Sequence, residues 1–364
     1  MNDAFHGSYL PGDVTFLLDP IPVTGANVAD LSLVSGGPID YKTQITSESP
    51  FPPEYIDLFH GAVERNKLRL GVDVAQVALT LARRRKTEEI VIASLVRAGT
   101  PIGVLLHRAL RELGVKNVHY SISATRKRGS DPSAIDHIVK HHDPASIVFV
   151  DGWTGKGYIA HELQAAITDY NATRGTNINS ELVVLADLAG VSAVASSAED
   201  YLIPAAMLRS TVCGLISASM LNPAGNGVRP DACLSYEFLA EHDLSRYFVA
   251  SVMPSVSNAL LQLRDQILPV WGDGERARVR AVSDRFVEDA MRAYGLTDRN
   301  KVKPGICEAN RALLTRAVNM TLLVRDPEHD AADLANLFYL AGRKACPVVT
   351  VKDMPYRAAV ILNS

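Results

Sequence analysis

Between Glu89 and Asp187 the chain alternates short apolar runs with stretches of helical periodicity, and few folds accommodate that alternation. EIVIASL (Glu89–Leu95) is short, apolar and β-branched, as a buried parallel strand requires. VHYSISA (Val118–Ala124), SIVFV (Ser146–Val150) and ELVVLAD (Glu181–Asp187) supply three further strands. Between them Ile102, Leu105, Leu106, Ala109, Leu110 and Leu113 recur at helical spacing. Ile135, Ile138 and Val139 mark a second helix; Ile159, Leu163, Ala166, Ile167 and Tyr170 mark a third. Strands alternating with helices of this length predict an α/β fold built on a parallel sheet. Such sheets bind ligands beyond the carboxyl ends of their strands. The loops VRAGTP, TRKRGSDP and DGWTGKG, and the segment after Asp187, all fall at that edge.

Asp151–Gly157 is the most informative of these loops. Gly152, Gly155 and Gly157 let the backbone turn tightly and bring N–H groups to an anion, with a helix N-terminus behind them. Lys156 adds a point charge and Thr154 a hydroxyl, with Trp153 between. Asp151 can accept from ribose hydroxyls or help hold magnesium. A Walker A loop is excluded, because that motif needs four residues between its glycines and a hydroxyl residue after the lysine. The plain alternative is a strand–turn–helix corner whose glycines satisfy geometry alone. Arg97, Ala98, Gly99 and Thr100 offer amides for a pyrophosphate with Arg97 as counter-charge, or else an ordinary βα connection. Arg126, Lys127 and Arg128 form either a solvated surface run or a flap that neutralises a leaving group. Asp187 and the pair Glu199–Asp200 can bind an acceptor base, and helix capping serves equally for the pair.

Cys213, Cys233, Cys307 and Cys346 are too scattered for a zinc motif. STVCGLISASML reads as a small-residue helical run, in which Cys213 is a buried, inert thiol before it is a nucleophile. His141 and His142 are expected to face solvent at a helix end, and His107 and His161 to lie near the ligand edge. A net charge of −3 argues against a chain-wide nucleic-acid footprint. There is no basic region followed by an apolar run at the start, and no window of about 20 apolar residues, so the cytoplasm is expected.

Four regions are expected along the chain. Residues 1–50 read as an arm or hood, with Val14–Leu18 strand-like. Residues 51–245 hold the α/β core, opened by Pro52-Pro53 and a helix carrying Ile56, Phe59 and Val63. Residues 246–300 read as a helical connector. Residues 301–364 read as a separate small α/β unit: a helix at Glu308–Arg316, the strand TLLVRD, a helix at Ala331–Lys344, then the strands PVVTV and AAVIL.

In this order the three loops resemble those of the type I phosphoribosyltransferases, which implies a phosphoribosyltransferase-like core. By that resemblance Arg97–Thr100 would bind pyrophosphate, Arg126–Gly129 would cover the site, and Asp151–Gly157 would hold the ribose phosphate of PRPP with Mg²⁺. VDGWTGKG resembles more closely a bacterial branch encoded with tellurium-resistance stress operons, whose members also carry the name cysteine protease StiP. The run from Asn310 to Val351 looks like a Pelota-type, L7Ae-like RNA-binding domain. One departure stands out: Gly152 occupies the place of a second acid. The resemblance implies transfer of a phosphoribosyl group from PRPP to a nitrogenous acceptor. Asp151, Arg126 and Lys127 would then be catalytic and Asp151 would hold the metal. Arg128, Trp153, Thr154, Lys156, Asp187 and the loop glycines Gly99, Gly152, Gly155 and Gly157 would bind substrate. Two other readings stand beside it. One is a cysteine peptidase using Cys213 or Cys233. The other is a sensor that docks structured RNA through residues 301–364, where Arg311, Arg316, Arg325, Arg343 and Lys344 supply positive charge.

Overall fold

The computed structural model describes residues 5–23, 48–125, 129–130, 132–218, 232–315 and 319–363. In chain order β1 (Thr15–Phe16) and β2 (Asp19–Pro22) precede the long helix α1 (Pro53–Arg84). Then follow β3 (Ile90–Val96), α2 (Gly99–Glu112), β4 (Asn117–Thr125), β5 (Gly129–Ser130), α3 (Pro132–His141) and β6 (Ile147–Val150). Next come β7 (Trp153–Thr154), α4 (Tyr158–Arg174), β8 (Leu182–Asp187) and β9 (Val194–Ser197). After β10 (Ile216–Ala218) and β11 (Ala232–Ser235) come α5 (Ser245–Leu263) and α6 (Asp273–Ala293). The chain closes with β12 (Val302–Pro304), α7 (Ile306–Thr315), β13 (Met320–Val324), α8 (Ala331–Arg343), β14 (Val348–Thr350) and β15 (Ala358–Leu362).

The four apolar runs lie side by side in one parallel sheet of order β1-β4-β3-β6-β8-β7, as their lack of a polar face demands. β9 also pairs with β8, and β5 folds back antiparallel on β4. Successive side chains of a strand point to opposite faces. Ile90 and Ile92 therefore join a cluster with Phe59 of α1, Leu105 of α2 and Phe248 of α5. Val91, Ala93 and Leu95 join the other, with Ile135 and Ile138 of α3 and Leu163 and Ile167 of α4. Phe149 and Val150 of β6 divide in the same way. Each such side chain contributes about 1.5–3 kcal/mol on burial, so the sheet is held from both sides.

Two smaller sheets flank this core. β11 pairs parallel with β2 and antiparallel with β10. The segment around Cys213 is not the helix expected for it. It forms a short 3₁₀ turn at Ser210–Val212 and then enters β10. The reason is local: Gly214 and Leu215 take φ of +69° and +64°, which no right-handed helix admits. In the third sheet, of order β12-β15-β13-β14, β13 and β14 run parallel and β15 antiparallel to its neighbours.

The C-terminal unit shares the first cluster: Ile306, Leu313, Leu322, Leu334 and Val360 pack in continuity with Tyr55 and Phe59 of α1. Buried polar groups complete the seam. Tyr55 Oη donates to Met207 O at 3.0 Å, and Asn310 Nδ2 to Ala206 O at 2.6 Å. Among the described residues no helix is long and apolar enough to cross a membrane.

α1 and α5 approach closely at Gly71, where an added Cβ would stand 2.6 Å from both the Cβ and the carbonyl carbon of Ser255. Alanine would gain about 1 kcal/mol of helix propensity there, but forcing the helices apart costs about 1–3 kcal/mol. Gly71→Ala is therefore expected to lower the urea midpoint, and a raised midpoint would contradict this packing.

Candidate functional site

The carboxyl ends of β3 and β6 face the C-terminal unit across a cleft of about 130 Å³. Arg97 and Ala98 form one wall, Asp151 and Trp153–Gly157 the floor, and Asn300, Lys303, Glu308 and Arg311 the roof. Gly99 makes this closeness possible, since a Cβ there would stand 2.4 Å from Val150 O. Gly157, at φ +79°, turns the chain into α4.

The loop with the glycines already holds an anion, and the chain supplies it. Trp153 Nε1 donates to Glu308 Oε1 at 3.1 Å, and Arg311 lies 3.7 Å from the same oxygen. Gly155 leaves room for that side chain, because a Cβ there would come within 2.7 Å of Glu308 Cγ. Burial pushes the Glu308 carboxyl upward. Arg311, Lys303, Lys156 and the indole N–H outweigh it and hold the group at about 2. Lys156 Nζ also donates to Val302 O at 3.4 Å. Asp151 responds the other way: burial carries it to about 7 against Arg311 and the Gly152 N–H, and Glu308 adds to the rise.

Thr154 Oγ1 donates to Asp187 Oδ1 at 2.5 Å. Asp187 is fully buried and also accepts from Ala189 N and Ser192 N, so it organises the turn after β8. Asp200 accepts from Ile306 N at 2.8 Å and so caps α7, while Glu199 pairs with Arg69. Arg97 Nη1 binds Glu48 at 2.8 Å, and Glu48 accepts from both Ser210 N and Ser210 Oγ. Thr100 Oγ1 lies 2.7 Å from Ser121 Oγ in the core. The structure thus gathers Arg97, Ala98, Asp151 and Trp153–Gly157 around one cleft and keeps Thr100 and Asp187 beneath it. Arg126, Lys127 and Arg128 lie outside the described residues. Glu48, Lys303 and Glu308 escaped sequence reasoning, since only the fold brings them here.

Cys213 sits against the same edge. Its Sγ donates to Arg97 O at 3.3 Å. Burial pushes the thiol up to about 12, against the pull of a Thr100 hydrogen bond and the Arg97 charge. Cys307 and Cys346 likewise donate to backbone carbonyls, of Tyr201 and Met320.

The histidines are placed elsewhere. His107 is buried with Nδ1 2.6 Å from Asn117 Oδ1, at the amino end of β4 rather than the ligand edge. His161 and His141 are exposed. His142 is not solvent-facing: it bonds Glu89 at 2.9 Å and Tyr120 at 3.0 Å, because the helix end folds back on the sheet. His119 is pushed down to about 3 by burial, and its neutral ring joins Ser94 to Asp13 O inside the core. Among the described residues no three His, Cys, Asp or Glu side chains converge as a metal site. Asp151, with Arg311 acting on it and Glu308 already neutralised by cations, is a poor setting for a hard dication.

A family model described as "Tellurite-like stress resistance cysteine protease StiP" matches residues 7–253. The chain belongs to the StiP family. Residues 281–364 of this StiP-family chain match a model described as "PELOTA RNA binding domain". The chain is 36% identical over 375 residues to the cysteine protease StiP of Acinetobacter baylyi (strain ATCC 33305 / BD413 / ADP1), covering 100% of this chain and 95% of that one. Two solved structures, described as a glutamine and an alanine mutant in an analysis of an invariant aspartic acid in HPRTs, align with TM-score 0.27 and 14% identity. They cover 36% of this chain and 77% of theirs, and at that score they carry no weight. These matches correct the expectation of phosphoribosyl transfer from PRPP. The family and its full-length relative bear the name of a cysteine protease, not of a transferase.

The two carboxyls of the cleft have opposite pH signatures. Glu308, depressed to about 2 in the folded chain, adds stability above its ordinary value near 4.5 and loses it as pH falls toward 2. Glu308→Gln should therefore cost on the order of 2–3 kcal/mol at pH 7, and the deficit should vanish below about pH 2. Asp151, raised to about 7, costs stability as pH climbs from about 4 to 7. Asp151→Asn should flatten that decline. Urea midpoints at a series of pH values measure both, and parallel curves for parent and variants would contradict the assignments.

Proposed function

We propose that the chain is a cysteine peptidase with Cys213 as its nucleophile. The observation that carries this reading is position. Of the two cysteines within the StiP-matching segment, Cys213 alone adjoins the cleft, through its 3.3 Å contact with Arg97 O. Cys233 lies within β11, paired with Ala218 on one side and Pro20 on the other. Cys307 and Cys346 fall outside the segment.

At rest the thiol is protonated, because burial is the largest influence on it. Substrate entry that opens the Ser210–Gly214 turn relieves that burial. The Thr100 hydrogen bond and the Arg97 charge, both of which favour thiolate, then dominate. The thiolate attacks the peptide carbonyl carbon and the C–N bond breaks. The proton given up by the thiol passes to the admitted water, the departing amine takes a proton back from that water, and a second water hydrolyses the thioester to release the acid and the thiol.

Cys213→Ala is expected to abolish peptide hydrolysis and Cys233→Ala to retain it. Iodoacetamide should label Cys213 more slowly in the folded chain than in the urea-denatured chain. Undiminished hydrolysis by Cys213→Ala would overturn the assignment.

A second reading rests on residues 281–364 and their match to an RNA-binding domain. Arg343 and Lys344 are exposed at the end of α8, near β14, whose three residues are all exposed. We propose that this rim meets RNA phosphates. Arg325 pairs with Asp330 and Arg311 with Glu308. Arg343→Ala should weaken RNA binding and reduce the salt slope by about one; an unchanged slope would remove Arg343 from the interface.

A further inference from the structure

Next to the cleft, beyond Trp153, lies a smaller recess between the β3–α2 turn, the Ala205–Val212 segment and α7. Arg97, Arg209 and Arg311 reach its surface, and no carboxylate does. We infer that this recess receives an acidic side chain of the peptide substrate, held by Arg209 and Arg311 with Arg97 beside them. The inference rests on the peptidase reading and names the substrate class for that same site.

Arg209 is the first reason. Its Nε is buried and finds no hydrogen-bond partner among the described residues. A covered guanidinium with an unspent N–H is costly unless an anion arrives to meet it. Its other contacts do not supply one directly: the guanidinium lies over the Phe51 ring at 5.6 Å. Arg311 is placed similarly, over the Trp153 ring at 5.6 Å, with Glu308 on its far side.

The second reason is size. The recess has a volume of about 20 Å³, enough for roughly one water-sized polar group. The tip of an Asp or Glu side chain enters such a space; a nucleotide does not. Ala98, Leu208 and Leu314 line the rest, and their apolar surface strengthens any charge-assisted hydrogen bond made there. The molecule already shows the pairing it favours, since Arg97 and Ser210 together hold the Glu48 carboxylate.

The third reason is distance from the thiol. Val212 forms part of the wall and Cys213 follows it. Arg97 touches both places: it lines the recess, and its carbonyl lies 3.3 Å from Cys213 Sγ. The recess wall is thus continuous in the chain with the thiol-bearing residue. A lysine there would meet the like charge of Arg209, and glutamine would offer its Nε no ionic partner.

The test uses the full chain and four internally quenched peptides that differ at one position, carrying Glu, Asp, Gln or Lys. The acidic peptides are expected to show kcat/KM roughly 10- to 100-fold above the Gln peptide, the span of a charge-assisted hydrogen bond, with the Lys peptide lowest. Arg209→Gln and, separately, Arg311→Lys should shrink that ratio. Equal rates for all four peptides in the parent chain, with Cys213→Ala inactive, would overturn the recess and leave the peptidase reading standing. Cleavage of no peptide would overturn the peptidase reading and the inference with it. Competitive inhibition by a short oligoribonucleotide that Arg209→Gln abolishes would make the recess a phosphate site and would also overturn the inference.

Discussion

Glu308 keeps a negative charge in a place where burial opposes it, and the edge of the sheet is organised by that charge. Arg311, Lys303 and Lys156 surround it, and the Trp153 indole donates to it. The loop from Asp151 to Gly157 is shaped to admit it, with glycine where any side chain would collide. Glu308 also orients Arg311, which is drawn between the carboxylate and the Trp153 ring and so reaches the recess beyond. Asp151 lies in the same cleft, where burial, with Glu308 adding to it, raises its carboxyl to about 7. Two buried carboxyls have thus moved in opposite directions: burial prevails at Asp151, while at Glu308 the surrounding cations and the indole N–H outweigh it.

This arrangement depends on a rigid platform. The parallel sheet is covered by α1, α2 and α5 on one face and by α3 and α4 on the other, so its carboxyl edge cannot spread without exposing both clusters. The C-terminal unit is fastened by the same apolar cluster and by two polar contacts that cross the seam: Asp200 accepts from the first turn of α7, and Asn310 donates to Ala206 O. The docking of Glu308 is one contact in a continuous interface, and the interface places it.

How far this could be read from the chain follows from the range of each interaction. The strands and helices from Glu89 to Asp187 are written in local periodicity, and they formed close to where periodicity put them. The small α/β unit after residue 300 was legible for the same reason. The helix expected around Cys213 failed on two consecutive left-handed residues, one of them Leu215, which carries no sequence signal for that conformation. The partner of the glycine loop was illegible for a different reason. N–H groups, glycines and a lysine suit phosphate and carboxylate alike, and Glu308 lies more than 150 residues away in sequence. The same loop chemistry misdirected the reaction: it pointed to a phosphorylated ribose, whereas the family bears the name of a thiol enzyme.

Cys213 poses the sharper physical question, because the nucleophile proposed above must ionise and the closed turn holds this thiol where it does not. Burial accounts for most of the rise to about 12, and Glu48 adds to it. Glu48 also accepts two hydrogen bonds from Ser210, at the start of the turn that covers the thiol. Arg97 holds the same carboxylate, so Glu48 is tied both to the turn and to the β3–α2 junction. Under the peptidase proposal, opening the turn would act chiefly by admitting solvent to the thiol, because burial is the largest influence on it, while Thr100 and Arg97 lie outside the Ser210–Gly214 segment.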